Sequence, residues 1–151
     1  MDDNIIIDNM TPDDLDEVVE IEISSTPSPW SRALFEKELS HDHSSNLVAR
    51  SLCGDKKKLM GYIVYWTVAD EMHILNLAVH SGERRKGIGR ALVEEALKRG
   101  REGGLKKSFL EVRKSNVPAI ALYENLQFKR VGERKTYYHD GEDATVMVLE
   151  L

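Results

Sequence analysis

The sequence predicts an α/β fold of the α+β kind, with a mixed central sheet of about six to seven strands flanked by about four helices. Three stretches carry that expectation. Between Asn46 and Val79, three β-rich runs are separated by turn signals, the pattern of an antiparallel meander. From Met72 to Val112, a strand, a cationic glycine loop, an amphipathic helix and a second strand succeed one another. Such a crossover makes its two strands parallel. Further on, Lys129 to Tyr138 and Ala144 to Leu149 flank Asp140-Gly141 and read as a closing hairpin.

Taken in order, Ile5-Ile6-Ile7 is a short β-branched run and the first strand. Thr11-Pro12-Asp13-Asp14 is a helix start, with Thr as N-cap, Pro at the first helical position and acids in the first turn. Leu15, Val18, Val19, Glu22 and Ile23 continue the helical period until Ser24 to Pro29 breaks it. Trp30-Ser31 opens a second helix through Leu34, Phe35 and Leu39, and His41 to Ser45 is a polar loop. Asn46 to Leu52 is a strand, with a turn at Cys53-Gly54-Asp55 and a solvated turn at Lys56-Lys57-Lys58. Leu59 to Ala69 and Met72 to Val79 complete the meander around Asp70-Glu71. A helix runs from about Gly87 to Glu102, with Ile88, Leu92 and Ala96 on one face, and is closed by Gly103-Gly104. Ser108 to Val112 is a buried strand carrying one acid, Glu111, and Asn116-Val117-Pro118 starts a last helix to about Glu124.

A chain of 151 residues points to one domain, spanning 1–151, with enough length for a real core. Apolar residues make up 41% and charged residues 31%, the balance of a soluble globular protein. A net charge of -5 argues against nucleic-acid binding by the surface as a whole. Cys53 is the single cysteine, so no internal disulfide forms, which suggests a reducing compartment. The acidic start resembles no leader peptide, and runs such as Tyr62 to Trp66 are too short to span a bilayer. The expectation is a cytoplasmic protein without membrane contact. His41-x-His43 lacks the carboxylate or cysteine that would complete a metal site, so no metal is expected.

The chemistry gathers around residues 76–93. Leu77-Ala78-Val79 ends a strand, Arg84-Arg85-Lys86 supplies three cations, and Gly87-Ile88-Gly89-Arg90 begins a helix. Glycine lets a backbone approach a ligand closely, and a helix start offers unpaired N–H groups and a positive dipole end. The combination reads as a phosphate cradle. It lacks the third glycine of a dinucleotide fingerprint and the Gly-Lys-Ser/Thr of a Walker loop.

Arg84-x-x-Gly87-x-Gly89 after Leu77-Ala78-Val79 resembles the acetyl-CoA motif of the GNAT superfamily of N-acetyltransferases. Further segments resemble its bacterial ribosomal-protein-alanine N-acetyltransferases. These are Ile21-Glu22 with Pro29-Trp30-Ser31, Leu110-Glu111-Val112-Arg113-x-Ser115-Asn116, Ala119 to Leu126, and the Tyr137-Tyr138 pair with its acidic hairpin. The resemblance implies the GNAT fold and acetyl-CoA as cosubstrate. It implies that the backbone of Leu77, Ala78 and Val79 pairs with the pantetheine arm. Arg85, Lys86, Gly87, Ile88, Gly89 and Arg90 would wrap the pyrophosphate, and Asn116 would hold the cofactor near its thioester. Glu111 would be the general base and Tyr123 the general acid. Glu22, Trp30, Tyr137 and Tyr138 would form the wall on the peptide side. The implied partner is a protein N-terminus, the N-terminal alanine of a small-subunit ribosomal protein, with the enzyme a monomer or weak homodimer. The sequence departs from the family at Gln127, where Leu-Gly-Phe is usual. If that position is left-handed, a non-glycine residue costs about 1–2 kcal/mol.

Each role has a plainer reading on the residues alone. Glu111 could alternate outward into solvent, Tyr123 could be a packing ring, Trp30 could be core, and the tyrosine pair could pack across strands. Two other functions also stay open: acetylation of a small amine or lysine, and a non-catalytic acyl-CoA-binding module. Chemistry favours the α-amine. At pH 7 an α-amine needs about 1 kcal/mol to become neutral, and a lysine about 4.6 kcal/mol. The leaving group is a thiolate, with a thiol value near 8.5, and a tyrosine at about 10 is a plausible donor to it.

Overall fold

The computed structural model describes residues 5–53, 56–84 and 87–151. Among them the elements run β1 (Ile5–Asn9), α1 (Leu15–Ser25), α2 (Arg32–Leu39), β2 (Ser44–Cys53), β3 (Lys56–Val68), β4 (Glu71–Val79), α3 (Ile88–Glu102), β5 (Lys107–Arg113), α4 (Val117–Asn125), β6 (Lys129–Arg134) and β7 (Ala144–Glu150). The strands form one sheet in the order β1-β2-β3-β4-β5-β7-β6. Only β4 and β5 pair in parallel; the other neighbours are antiparallel. The crossover, the meander and the closing hairpin are therefore all present.

Alternation along the strands divides the interior into two cores, because successive side chains leave opposite faces of a sheet. Leu47, Ile63, Leu110 and Met147 join Ile88, Leu92 and Ala96 of α3 and Ile120 of α4. Val48, Tyr62, Val64 and Ala78 join Leu15, Val18 and Ile21 of α1 and Phe35 of α2 on the other side. α1 and α2 pack on β2, β3 and β4. Leu110 and Val112 face the α3 core, so Glu111 and Arg113 emerge on the opposite face, beyond α1.

Several boundaries differ from expectation. Ile23 is 61% exposed, and Ile21 takes its place in the core. α2 begins at Arg32, with the Ser31 hydroxyl accepting from the Leu34 N–H at 3.2 Å, so Trp30 precedes the helix. Ser44, Ser45 and Cys53 belong to β2, and Lys56 to Lys58 belong to β3, where they pair with Cys53, Leu52 and Ser51. Pairing with β2 engages the backbone, and the Lys58 side chain remains 52% exposed. The turn residues Gly54 and Asp55 lie outside the described residues. β6 stops at Arg134 rather than Tyr138. Thr136 has φ 47 and donates its N–H to Asp143 Oδ1 at 2.9 Å, which turns the chain out of the ladder. Gln127 does sit left-handed, at φ 78.

No helix among the described residues is long and apolar enough to cross a membrane.

Candidate active site

β4 pairs with β5 only at its start, from Glu71 opposite Lys107 to Ile74 opposite Leu110. On its other side it stays with β3 as far as Val79 opposite Gly61. The parting coincides with a bulge. Val64 faces Asn76 and Tyr65 faces Ile74, so Leu75 is an extra residue in β4. A bulge bends its strand and re-aims the residues beyond it. Meanwhile β5 stays with β7 through Arg113 opposite Ala144. Asn76 to Val79 thus diverge from Glu111 to Arg113, and the two strands open into a V. Gly61 keeps β4 against β3 at this point, since a Cβ there would lie 2.8 Å from the Ala78 carbonyl oxygen.

A cavity of about 880 Å³ fills the V. Leu77 and Ala78 line one side, and Glu111, Asn116 and Tyr123 line the other. Glu22, Trp30, Tyr137 and Tyr138 also reach it. Val79 and the residues at the start of α3 lie outside its lining.

Glu111 is not solvated: its side chain is 7% exposed. Oε1 lies 2.6 Å from His73 Nε2, and Oε2 lies 3.4 Å from Arg134 Nε. The His73 ring stacks on Phe109, its neighbour across the parallel register, at 4.2 Å. Burial pushes the Glu111 carboxyl up, but the hydrogen bond and charge of His73, together with Arg134, outweigh it and hold the group below the ordinary carboxylate value. At neutral pH it is an ionised acceptor.

Tyr123 is buried, with its ring edge-on to Phe128 at 5.4 Å. Burial, and secondarily Tyr138, push its phenol well up, so the hydroxyl stays protonated. The turn after α4 fixes it: Phe128 N–H donates to the Tyr123 carbonyl at 2.9 Å, and Gln127 N–H to the Glu124 carbonyl at 3.0 Å. Asn116 caps α4, its side-chain oxygen accepting from Ala119 N–H at 3.2 Å.

Glu22 is 2% exposed and gathers three neutral donors. Its Oε1 accepts from Tyr62 Oη at 2.5 Å and Asn76 Nδ2 at 3.0 Å, and its Oε2 accepts from the Trp30 N–H at 2.9 Å. A buried carboxylate is tolerable only when so hydrogen-bonded. Burial and then the Glu22 charge push the Tyr62 phenol far up. Trp30 packs its ring on Phe35 at 5.2 Å while also lining the cavity.

At the other end of the V, Gly87 has φ 81 and forms the N-cap of α3. The first helical bond runs from Ala91 N–H to the Gly87 carbonyl at 3.0 Å, so the amides of Ile88, Gly89 and Arg90 come before it. Ile88 is buried, which leaves its backbone as its means of touching a ligand. Arg90 pairs with Glu94 at 3.2 Å on its own helix. Arg84 donates to the Val79 carbonyl at 3.3 Å and to Ser25 Oγ at 3.3 Å. Arg85 and Lys86 lie outside the described residues.

Tyr137 and Tyr138 stand edge to face at 5.0 Å, in the loop after β6 rather than across strands. Burial, and then Tyr137, push the Tyr138 phenol up to about 12. The guanidinium of Arg113 lies 4.1 Å over the Tyr138 ring.

His73, Arg134, Asn76, Tyr62 and Arg113 had no assigned role in the sequence. A signal existed for His73, a polar residue inside an apolar strand. The others are joined to the site by contacts across 23 to 85 positions of chain, as in Arg134 with Glu111 and Arg113 with Ser28.

The chain is similar to known proteins over most of its length. The sequence model of the Acetyltransferase (GNAT) family matches residues 15–128. A Bacillus subtilis protein named as a candidate ribosomal-protein-bS18-alanine N-acetyltransferase is 37% identical, over 92% of this chain and 91% of its own. An N-alpha-acetyltransferase of Saccharolobus solfataricus is 33% identical, over 95% and 91%. The crystal structure of the ribosomal-protein-S18-alanine N-acetyltransferase from Escherichia coli superposes with TM-score 0.86 at 34% identity, covering 97% of this chain and 93% of that one. The chain belongs to the acetyltransferase (GNAT) family.

Proposed function

We propose that this protein transfers acetyl from acetyl-CoA to the N-terminal α-amine of a protein, with the N-terminal alanine of a ribosomal protein as the first candidate acceptor. The observation that carries the reading is the V between β4 and β5, with the Glu111 carboxylate and the protonated Tyr123 phenol together in its lining. The names of the relatives in Bacillus subtilis and Escherichia coli support the choice of acceptor.

The residues present fit coenzyme A. Asn76 to Val79 carry strand backbone on the side that β5 has left, where it would meet the amides of a pantetheine arm, with the Val79 carbonyl accepting from Arg84 at 3.3 Å. The amides at the start of α3 and its positive dipole end suit a pyrophosphate. When bound, acetyl-CoA supplies a thioester as the acyl donor.

The amine must attack as the neutral form. Glu111, held below the ordinary carboxylate value, does not strip a resting ammonium of pKa about 7.7–8.0, because more than 3 pKa units of mismatch corresponds to about 4 kcal/mol. Its task is to accept the proton from nitrogen as the N–C bond forms, when that N–H becomes far more acidic, directly or through a water. His73 holds the Glu111 carboxylate in place through its contact with Oε1. Tyr123 donates its O–H toward the departing sulfur as the S–C bond breaks. Complete transfer from a phenol of about 10 or above to a thiolate of about 8.5 is uphill by about 2 kcal/mol or more, so the donated hydrogen bond is the larger contribution. Glu22 receives the cationic terminus before reaction, and Trp30, Tyr137 and Tyr138 wall the acceptor. Attack is direct, in a ternary complex.

Incubation with acetyl-CoA and a library of peptides differing in their first residue tests the reading. Acetylation of alanine-starting members, with intersecting double-reciprocal lines, is expected. No acetylated member, or acetyl gained only by lysine-bearing members with blocked N-termini, removes it.

A further inference from the structure

Two loops border the mouth of the cavity: residues 26–31 between α1 and α2, and residues 135–143 between β6 and β7. Arg113, at the end of β5, touches both. Its Nη1 donates to Asp140 Oδ2 at 2.8 Å and to Glu142 Oε1 at 2.8 Å, while Nη2 donates to Ser28 Oγ at 3.3 Å. Its guanidinium plane also covers the Tyr138 ring. The side chain is 12% exposed, so the charge is fixed rather than solvated. Glu142 is locked in turn, its second oxygen accepting from Ser115 N–H at 2.8 Å. The 135–143 loop holds its own turn by Tyr138 N–H to the Glu142 carbonyl at 3.2 Å, Gly141 N–H to the Tyr138 carbonyl at 2.9 Å, Thr136 N–H to Asp143 Oδ1 at 2.9 Å and Glu142 N–H to Asp140 Oδ1 at 3.1 Å; Arg113 adds the tie from that turn to Ser28 in the 26–31 loop.

We propose that Arg113 is a positioning residue for the acceptor peptide: one guanidinium sets the spacing of the two loops at the cavity mouth and the angle of the Tyr138 ring, and so governs binding of peptide residues beyond the first. The inference rests on the reading of the cavity as an acceptor-peptide site. It distinguishes Arg113 from Glu111, two residues earlier on the same face, which meets the reacting amine. Lysine cannot replace it, because a single ammonium does not serve two carboxylates and a hydroxyl in diverging directions while stacking on a ring.

The test compares wild type with Arg113→Lys and Ser28→Ala on alanyl amide and on a longer peptide that begins with alanine. For Arg113→Lys, KM for the longer peptide is expected to rise about tenfold, a factor equal to about 1.4 kcal/mol. KM for acetyl-CoA and for alanyl amide should stay within about twofold, since neither depends on the loop spacing. Ser28→Ala, which removes only the bond to the first loop, should move the same parameter in the same direction by about two- to threefold. An equal loss on both acceptors, or a rise in KM for acetyl-CoA, assigns Arg113 to the fold alone and overturns the proposal. Unchanged peptide KM in both variants overturns it too. Should wild type acetylate neither acceptor, the acceptor-site reading fails instead.

Discussion

His73 Nε2 and Glu111 Oε1 sit 2.6 Å apart where β4 and β5 make their last parallel contacts. The pair joins the strand that opens the V to the strand that stays, and it sets the charge state of the one carboxylate that β5 sends into the cavity. Burial would raise that carboxyl; His73, with Arg134, lowers it. Without His73, burial is opposed by Arg134 alone and the pKa rises. The neutral amine sets the first acid break of the kcat/KM profile near its own pKa of about 7.7–8.0, and Glu111 the lower acid limb, which should lie at higher pH in His73→Ala than in wild type. A limb left in place would separate the pair from catalysis.

The same lowered value links to stability. It contributes stabilisation present above the unfolded value of about 4.3, which is lost as pH falls through the folded value. Glu111→Gln should therefore lose stability less steeply than wild type below about pH 4.5, as monitored by urea denaturation across pH. An unchanged slope would mean that the His73 contact does not persist in solution.

Turnover and carrier binding should separate. Glu111→Gln should lower kcat about 10²-fold or more, within the usual range for a lost proton acceptor. Tyr123→Phe keeps the ring against Phe128 and removes the donor, so it should cut kcat with little change in Tm. Calorimetry should find CoA affinity nearly unaltered in both. Full turnover in both variants would remove Glu111 and Tyr123 from the mechanism.

Gln127 carries strain that glycine would not. At φ 78 a side chain costs about 1–2 kcal/mol, partly offset by the extra chain freedom of glycine when unfolded. Gln127→Gly should raise stability by about 1 kcal/mol, or roughly 2–4 °C in Tm for a chain of this size. Activity should not change, because the turn that fixes Tyr123 is made by backbone bonds.

Gly61→Ala has no room to relax, since the atom 2.8 Å from the new Cβ is the Ala78 backbone carbonyl. Moving it displaces the strand proposed to pair with pantetheine. The variant should lose stability by about 1–3 kcal/mol. It should also raise KM for acetyl-CoA more than KM for peptide.

The layers were legible because they arise from local pattern: the runs of Asn46 to Val79, the period of Ile88, Leu92 and Ala96, and the crossover to Glu111 each state their own geometry. Where β4 leaves β5 was not legible. The bulge at Leu75 is a matter of register against Tyr65 and Val64, and no residue type at that position announces it. Ile23 misled because the helix turns its apolar stripe toward Ile21 and Glu22, and only the position of Tyr62 shows why an acid lies inward. The tyrosines were read as strand residues because Thr136 gives no sign of its left-handed backbone. Glu111 and Tyr123 could be singled out through the family resemblance. Their partners His73 and Arg134 come from other strands, and contacts between distant elements are invisible to periodicity.

Acetylation of the α-amine is tested most directly with one peptide that has an N-terminal alanine and an internal lysine, both free, incubated with acetyl-CoA near pH 7. Fragment mass spectra locate the acetyl group. It is expected on the α-nitrogen, with Glu111→Gln producing far less of the same product. Acetyl found on the lysine side chain alone would contradict α-amine transfer.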